Sequence, residues 1–246
     1  MTNGTLEVDV NRFFEGDVHV ITGPTGVGKT IYVEELRKHY DAVLINGDAS
    51  CFHRHLKIGV ANPGKPYHLI NMLDWREKYT PNKYVENAVP VIRSALLNRK
   101  KVFIVGGSMY YLSFLINKFH PRYSNSESLL YLVEHAPKFR IHVMLRYRDD
   151  WTYHLSRRIH KMCEEGWLTE VRQLIEDYPD NDLPELFTGR HFNAIGYKEA
   201  YLYLNGSITY NDFIESTLIK SRQYAKRQVT WLRNQLWDKV NHVYYV

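Results

Sequence analysis

The sequence is poor in cysteine and has no long apolar run, and each shortage excludes a class of protein. Its 246 residues include only two cysteines, Cys51 and Cys163, which excludes a disulfide framework or a cysteine-rich zinc site and favours a reducing compartment. No stretch approaches the roughly 20 apolar residues that a membrane-spanning helix needs, so we expect no membrane partner. Residues 1–9 contain acids and no apolar core, which argues against a secretory signal. We therefore expect a cytoplasmic protein.

The remaining composition is that of an ordinary globular protein. Hydrophobic residues make up 44% and charged residues 24% of the chain, and a chain of this length buries a sizeable core without disulfides. The formal net charge is +5. All of that surplus lies in residues 217–246, where six Lys and Arg residues accompany a single Asp. This uneven distribution favours a polyanionic partner, although a solvated helix face accounts for it equally well.

Four short apolar runs, each followed by a helical or polar stretch, predict the fold. Strands that alternate with helices indicate a parallel sheet with helices on both faces. From about Trp167 onward the pattern is wholly helical, with a break at residues 178–184. The four runs are Val18–Ile21, Ala42–Ile45, Val102–Val105 and Ile141–Leu145.

A glycine-rich segment after the first run has the pattern of a phosphate-binding loop. It reads G-P-T-G-V-G-K-T and matches G-x-x-x-x-G-K-[ST] in the required context, after a strand and before a helix. Its backbone N–H groups would form an anion site at a helix N-terminus, to which Lys29 adds a charge and Thr30 an oxygen ligand for Mg²⁺. The fold prediction is therefore α/β: a P-loop NTPase-like core over 1–165 and a C-terminal helical subdomain over 166–246. The predicted loop residues are Gly23, Pro24, Thr25, Gly26, Val27, Gly28, Lys29 and Thr30.

Two polar residues follow the second and third predicted strands. Asp48 would lie at the open end of the sheet, where it could serve as an Mg²⁺ ligand or a general base. Alternatively, it only stabilises a turn. Ser108 follows two glycines that allow close approach of a ligand, or it belongs to a plain turn. The motif alone does not say whether the loop holds a nucleoside triphosphate, a kinase donor or a prenyl diphosphate.

Together with further motifs, these segments resemble the tRNA dimethylallyltransferase (tRNA isopentenyltransferase) family. The phosphate loop is similar to the family's G-P-T-x-x-G-K-T, and residues 47–54 resemble V-D-S-x-x-x-Y-[RK], with Asp48 and Arg54 matching. Ser108 stands where the family has Thr in V-G-G-T, and residues 158–171 resemble the R-V-D-x-M…G-L-x-x-E-V segment. The most specific match is residues 222–233, which fill every fixed position of R-Q-x-A-K-R-Q-x-T-W-x-R.

One part of the family pattern is short in this chain. Family members carry a helical insertion of several tens of residues that helps to hold the anticodon arm, whereas only residues 117–140 stand at that place here. The adenylate isopentenyltransferase family also lacks the insertion and prenylates free AMP-type nucleotides. The C-terminal match favours the tRNA enzyme, so the chain resembles a short form of it.

The resemblance implies transfer of a dimethylallyl group from dimethylallyl diphosphate to N6 of an adenine next to the anticodon of tRNA. It implies Asp48, Thr30 and Arg158 as catalytic residues, with Mg²⁺ held by Thr30. Ser108 and Arg158 would join the loop in binding diphosphate. The implied partners are the anticodon arm and the prenyl donor, bound by a monomer. The implied RNA-binding residues are Asp48, Ala49, Ser50, Cys51, Arg54, Ser108, Arg222, Gln223, Lys226, Arg227 and Arg233.

The predicted C-terminal helix over 210–237 carries the basic residues as a stripe. At 100° per residue, Arg222, Lys226 and Arg233 fall within about 40° of one another, beside an apolar stripe suited to the core. Facing outward, they would contact RNA phosphates. Alternatively, some of them pair with core acids and fix the helix in place.

Other functions remain open at this point. The phosphate loop alone predicts a nucleotide kinase or NTPase, and the chain length allows an adenylate isopentenyltransferase. A non-catalytic RNA-binding relative is suggested by the short insertion and by Ala49 and His53, which depart from the family pattern.

Overall fold

A parallel five-stranded sheet organises the chain. The computed structural model describes residues 17–64, 66–74, 77–118, 137–178, 187 and 194–246, so most of the expected reduced insertion and of the expected helix break lies outside the described residues. The strand order is β2-β3-β1-β4-β5, and each neighbouring pair is parallel. The strands are β1 Asp17–Thr22, β2 Ala42–Asn46, β3 Lys101–Gly106, β4 Lys138–Leu145 and β5 Val240–Tyr245.

Seven helices among the described residues surround this sheet, as the alternating pattern predicts. Side chains alternate across β1: Val20 belongs to the cluster packed with α2, α3 and α7, whereas Ile21 packs with residues of α1. The prediction of an α/β sheet with helices on both faces is therefore confirmed. The helices are α1 Lys29–Leu36, α2 Pro81–Leu97, α3 Met109–Lys118, α4 Arg148–Glu164, α5 Trp167–Asp177, α6 Tyr197–Leu204 and α7 Tyr210–Gln235.

The expectation of a wholly helical region beyond Trp167 is wrong at its end. Residues Val240–Tyr245 return to the sheet as β5 and pair with β4. The run V-N-H-V-Y-Y alternates half-buried and exposed residues, which is the period of an edge strand, and it is rich in β-branched and aromatic side chains. The C-terminal region therefore contributes to the central sheet as well as to the helical subdomain.

Helix α7 reaches from the helical subdomain to the sheet. It is 26 residues long, about 39 Å at 1.5 Å per residue, and begins with a capping box between Thr209 and Asp212. Phe213 near its start packs in the cluster around Trp167, whereas Leu232 near its end packs against the sheet. One helix thus fixes the subdomain relative to the carboxyl edge of the sheet.

Among the described residues, none of the helices combines the length and apolarity needed to cross a membrane.

Candidate active site at the carboxyl edge of the sheet

A cleft of about 1370 Å³ opens where strands β1, β2 and β3 end. Its walls are the phosphate loop, the loops after β2 and β3, residues 59–63, and one side each of α4 and α7. Ligands of open parallel sheets bind at this edge, because the loops that leave the strands converge there. The predicted residues Asp48, Ser108 and Arg158 all line the cleft with the phosphate loop.

The phosphate loop is tightly packed against a neighbouring strand. Gly23 has a φ of +146°, and a Cβ at this position would lie 2.2 Å from the backbone oxygen of Met144 on β4. Only glycine fits there, since the contact is with backbone that cannot give way. Gly28, with a φ of +101°, precedes the first turn of α1, so the free N–H groups of that turn begin at the cleft.

Lys29 places a buried charge beside the loop. The side chain is only 8% exposed, and its Nζ donates to the carbonyl oxygens of Gly23 and Pro24, both at 3.1 Å. Burial lowers the pKa of Lys29 below its ordinary value, while nearby Asp48 opposes this and Arg158 adds to it. Within the described residues, no carboxylate forms an ion pair with Lys29, so the amine is available to an anionic ligand.

Helix α4 supplies a second cation from the opposite wall. The Arg158 Nη1 donates to the Thr25 hydroxyl at 3.2 Å, and the Trp151 indole N–H donates to the Thr25 carbonyl at 3.3 Å. Burial lowers the pKa of Arg158, which Asp48 counteracts; a guanidinium nonetheless stays charged. Two cations therefore face a loop built for phosphate.

Asp48 uses one carboxylate oxygen for structure and leaves the other available. Its Oδ1 accepts a hydrogen bond from the Gly107 N–H at 2.6 Å, and its own N–H donates to Asn46 Oδ1 at 2.9 Å. Oδ2 accepts no hydrogen bond from the described residues. A half-buried carboxylate with one fixed and one available oxygen is suited to accept a proton from a bound substrate.

Ser108 connects the loops that follow β2 and β3. Its hydroxyl oxygen accepts a hydrogen bond from the Ala49 N–H at 2.8 Å, and Tyr224 from α7 lines the same cleft. Burial in the cleft, with Asp48 nearby, raises the pKa of Tyr224 to about 12, so this phenol remains protonated at neutral pH.

Oxygen ligands suited to Mg²⁺ are present at the loop. Thr30 is exposed and lines the cleft, and its hydroxyl makes no hydrogen bond with another described residue. Hydroxyl, carboxylate and phosphate oxygens are the ligands that Mg²⁺ prefers. The Thr30 hydroxyl therefore fits a metal held together with the oxygens of a bound diphosphate.

Three site residues were not among those predicted from the sequence: Trp151, Tyr224 and Gln228. Gln228 accepts from the Thr25 N–H and donates to the Gly107 carbonyl, both at 2.8 Å. Two signals were available for Gln228: it fills a fixed position of the motif over 222–233, and it is a polar residue on the same buried stripe of α7 as Ala225 and Leu232.

A carboxylate outside the cleft holds one of its walls. Glu170 on α5 accepts hydrogen bonds from the N–H groups of Lys57, Ile58 and Gly59, at 3.0, 2.8 and 3.4 Å, and from the Tyr197 hydroxyl. Gly59 begins the segment that lines the cleft. The segment over 57–63 is therefore fixed by an element of the helical subdomain.

The outer face of α7 is basic and open. Arg222, Gln223, Lys226, Arg227 and Arg233 are all exposed, and the described part of the chain offers none of these four cations an ion pair. Arg227 also borders the cleft, with its guanidinium 6.0 Å from the centre of the Tyr224 ring. The sequence also allowed that some basic residues of this helix pair with core acids and fix it in place. Lys220 does so, because it forms an ion pair with the buried Glu199.

The remaining predicted RNA-binding residues divide between two places. Ala49, Ser50 and Cys51 line the cleft, and burial raises the pKa of the Cys51 thiol. Arg54 does not line it: its guanidinium donates to the Met72 carbonyl at 3.1 Å and lies 3.4 Å from Glu77 Oε1.

Comparison with models of protein families shows which family the sequence matches. The model described as IPP transferase matches residues 51–136 and 123–235, which together make up most of the chain. The chain belongs to the IPP transferase family. The two matched ranges overlap at 123–136, inside the stretch where the sequence predicts a reduced insertion.

Curated relatives in this family are similar over nearly their full length. The tRNA dimethylallyltransferase of Lactococcus lactis subsp. cremoris is 26% identical over 272 aligned residues, covering 89% of this chain and 90% of that protein. The tRNA dimethylallyltransferase of Shouchella clausii is 28% identical, with 87% of each chain covered. The Lactococcus alignment is longer than the 246-residue chain, so that relative contains residues with no counterpart here.

Solved structures in the IPP transferase family share the fold. The tRNA isopentenylpyrophosphate transferase of Bacillus halodurans superposes with a TM-score of 0.71 at 24% identity, covering 94% of this chain and 89% of that one. A eukaryotic dimethylallyltransferase acting on tRNA gives a TM-score of 0.72 at 22% identity, covering 92% and 73%.

Proposed function

We propose that this protein transfers a dimethylallyl group from dimethylallyl diphosphate to N6 of an adenine next to the anticodon of tRNA, releasing diphosphate. Membership of the IPP transferase family and the names of the curated relatives support the proposal. The observation that carries it is the pairing, in one cleft, of a cationic phosphate loop with a carboxylate that has an available oxygen.

The leaving group would be stabilised by the cations of the cleft. As the bond between C1 of the prenyl group and oxygen breaks, negative charge grows on the diphosphate. Lys29, Arg158 and the N–H groups at the start of α1 would meet this charge without having to reorganise. Mg²⁺, where bound by Thr30 with the diphosphate, would neutralise part of the same charge.

The acceptor would be activated by Asp48. N6 of the adenine forms a bond to C1 as the C1–O bond breaks, and the proton lost from N6 passes to the available Asp48 oxygen. An adenine reaches a sheet-edge cleft only after leaving its stack. Tyr224 and Ser108 line the same cleft and would contact the base there.

The RNA backbone would lie along the outer face of α7. Its four exposed cations suit phosphate contacts, which are insensitive to sequence and sensitive to salt. We further propose that the protein acts as a monomer in the cytoplasm.

Incubation with labelled dimethylallyl diphosphate, Mg²⁺ and either unmodified tRNA or AMP tests the proposal. We expect label in tRNA. Label in AMP alone would identify an adenylate isopentenyltransferase, and ATP turnover without prenyl transfer would identify a kinase or NTPase. Salt-dependent tRNA binding without any turnover would identify a non-catalytic RNA-binding protein.

A further inference from the structure

The side-chain amide of Gln228 joins two loops of the site that are far apart in the sequence. Its Oε1 is held by the Thr25 N–H of the phosphate loop, and its Nε2 donates to the Gly107 carbonyl in the loop after β3, both at 2.8 Å. Gln228 is only 4% exposed. Because buried polar groups without partners are unfavourable, loss of the amide would disturb both loops.

Gly107 in turn holds the carboxylate proposed as the base. The N–H of Gly107 donates to Asp48 Oδ1 at 2.6 Å, so this one residue is bound on one side by Asp48 and on the other by Gln228. A Cβ on Gly107 would lie 2.4 Å from Gln228 Nε2 and 2.9 Å from the Gly23 oxygen. The junction has no spare room, so the position of Asp48 relative to the phosphate loop depends on Gln228.

Gln228 comes from the helix whose outer face is basic. Tyr224, one turn earlier on α7, lines the same cleft, and through Gln228, α7 contacts both the phosphate loop and the loop after β3. Its exposed cations, among them Arg222 and Lys226, lie on the same continuous helix. A shift of α7 would therefore displace both loops together.

We propose that Gln228 is a positioning residue that fixes the phosphate loop and the Asp48 carboxylate relative to each other and to α7. The proposal rests on the proposed function, in which the diphosphate and the base must be held at a set separation. Small displacements of reacting groups cost much of the rate, so the chief consequence of losing Gln228 would be a lower kcat.

The first test compares Gln228→Met with Gln235→Met, which changes an exposed glutamine of the same helix. For Gln228→Met we expect kcat to fall about 10- to 100-fold, roughly tenfold for each hydrogen bond lost. The Kd for inorganic pyrophosphate with Mg²⁺ should rise. The Kd for tRNA alone should stay within about twofold of that of the unaltered protein, because the substitution does not change the outer face of α7, where the RNA backbone would bind. Gln235→Met should match the unaltered protein in all three measurements.

The second test is Gln228→Glu, which separates the two hydrogen bonds by pH. An ionised carboxylate there can accept from the Thr25 N–H but repels the Gly107 carbonyl, whereas a protonated one can donate to it. We expect the kcat of this variant, divided by that of the unaltered protein at the same pH, to rise as pH falls. The ratio removes the effect of pH that is common to both proteins, including any effect on the charged and ionisable groups of the same cleft, among them Lys29, Asp48, Arg158 and Tyr224.

Two results would overturn the proposal. One is a Gln228→Met protein that behaves as Gln235→Met does in kcat and pyrophosphate binding. The other is a fall in the kcat of Gln228→Met that is accompanied by weaker tRNA binding and a lower melting temperature, together with a kcat ratio for Gln228→Glu that does not change with pH. That combination would show that Gln228 only stabilises the fold. If the unaltered protein transfers no prenyl group, the proposed function fails, and pyrophosphate binding still decides whether Gln228 holds the loop.

Discussion

The amine of Lys29 and the carboxylate of Asp48 share one cleft but have different partners. Lys29 donates to two carbonyl oxygens of the phosphate loop, whereas Asp48 accepts from Gly107 on the next strand-end loop. In the proposed function, holding the anion would therefore fall to Lys29 and accepting the proton to Asp48, and substitution can distinguish the two roles.

Asp48→Asn should remove the base and keep the loop. The amide oxygen can still accept from the Gly107 N–H, so the site keeps its geometry but cannot take the N6 proton. We expect kcat for tRNA prenylation to fall by about 10²- to 10⁴-fold, with the Kd for pyrophosphate little changed. Asp238→Asn, at an exposed site outside the cleft, is the matched control. Full activity in Asp48→Asn would remove Asp48 from its role.

Lys29 should make pyrophosphate binding weaken at high pH. Since burial lowers the pKa of Lys29, its amine loses its charge at a lower pH than an ordinary lysine does, and the attraction for the anion is lost as pH rises through that pKa. Titrations with pyrophosphate and Mg²⁺ on the alkaline side should show this increase in Kd. Lys29→Arg keeps the charge throughout and should flatten the dependence; an unchanged dependence would assign it to another group.

Helix α7 combines two surfaces with different roles. Its inner stripe packs against the sheet and holds the two loops through Gln228, while its outer stripe presents cations that the described residues leave unpaired. The helical spacing of the basic and apolar residues was readable from the sequence. The contact of Gln228 with Thr25 was not, because it joins residues 203 positions apart and no local pattern encodes such a pairing.

Arg222→Ala and Lys226→Ala should weaken tRNA binding without selecting among tRNAs. Each removes one phosphate contact, so the slope of log K against log salt should decrease by about 1 for each substitution. Lys38→Ala is the control, because Lys38 is exposed just after α1 on the opposite face of the sheet. Unchanged salt slopes in both α7 variants would place the RNA elsewhere.

The helix α5 should contribute to stability through Glu170. Glu170→Gln exchanges a carboxylate that accepts from three backbone N–H groups for an amide that satisfies them poorly. We expect the free energy of unfolding to fall by about 1–3 kcal/mol, measured by urea denaturation. Glu176→Gln, exposed on the same helix, should change it little. Equal values for the two variants would mean that residues 57–59 are held by other contacts.

For the whole molecule, the apolar runs predicted four strands and the layered α/β fold, and the motifs predicted several of the residues that line the cleft, among them Asp48, Ser108 and Arg158. Strand β5 escaped prediction because six alternating residues after a long helix give a weak signal, and its partner β4 lies about a hundred residues earlier. Arg54 matched a motif, yet its side chain is directed to Glu77 and not to the cleft. Motifs identify residue types reliably, whereas tertiary packing decides which of them face the ligand.

The central claim is that one cleft joins a prenyl diphosphate to an adenine of tRNA. Its most direct test is to incubate the protein with dimethylallyl diphosphate, Mg²⁺ and a tRNA that has adenine next to the anticodon, and to analyse the nucleosides after digestion. The account predicts adenosine carrying the dimethylallyl group at N6, and none from a tRNA with guanine at that position. Unmodified nucleosides from both, while pyrophosphate still binds, would contradict it.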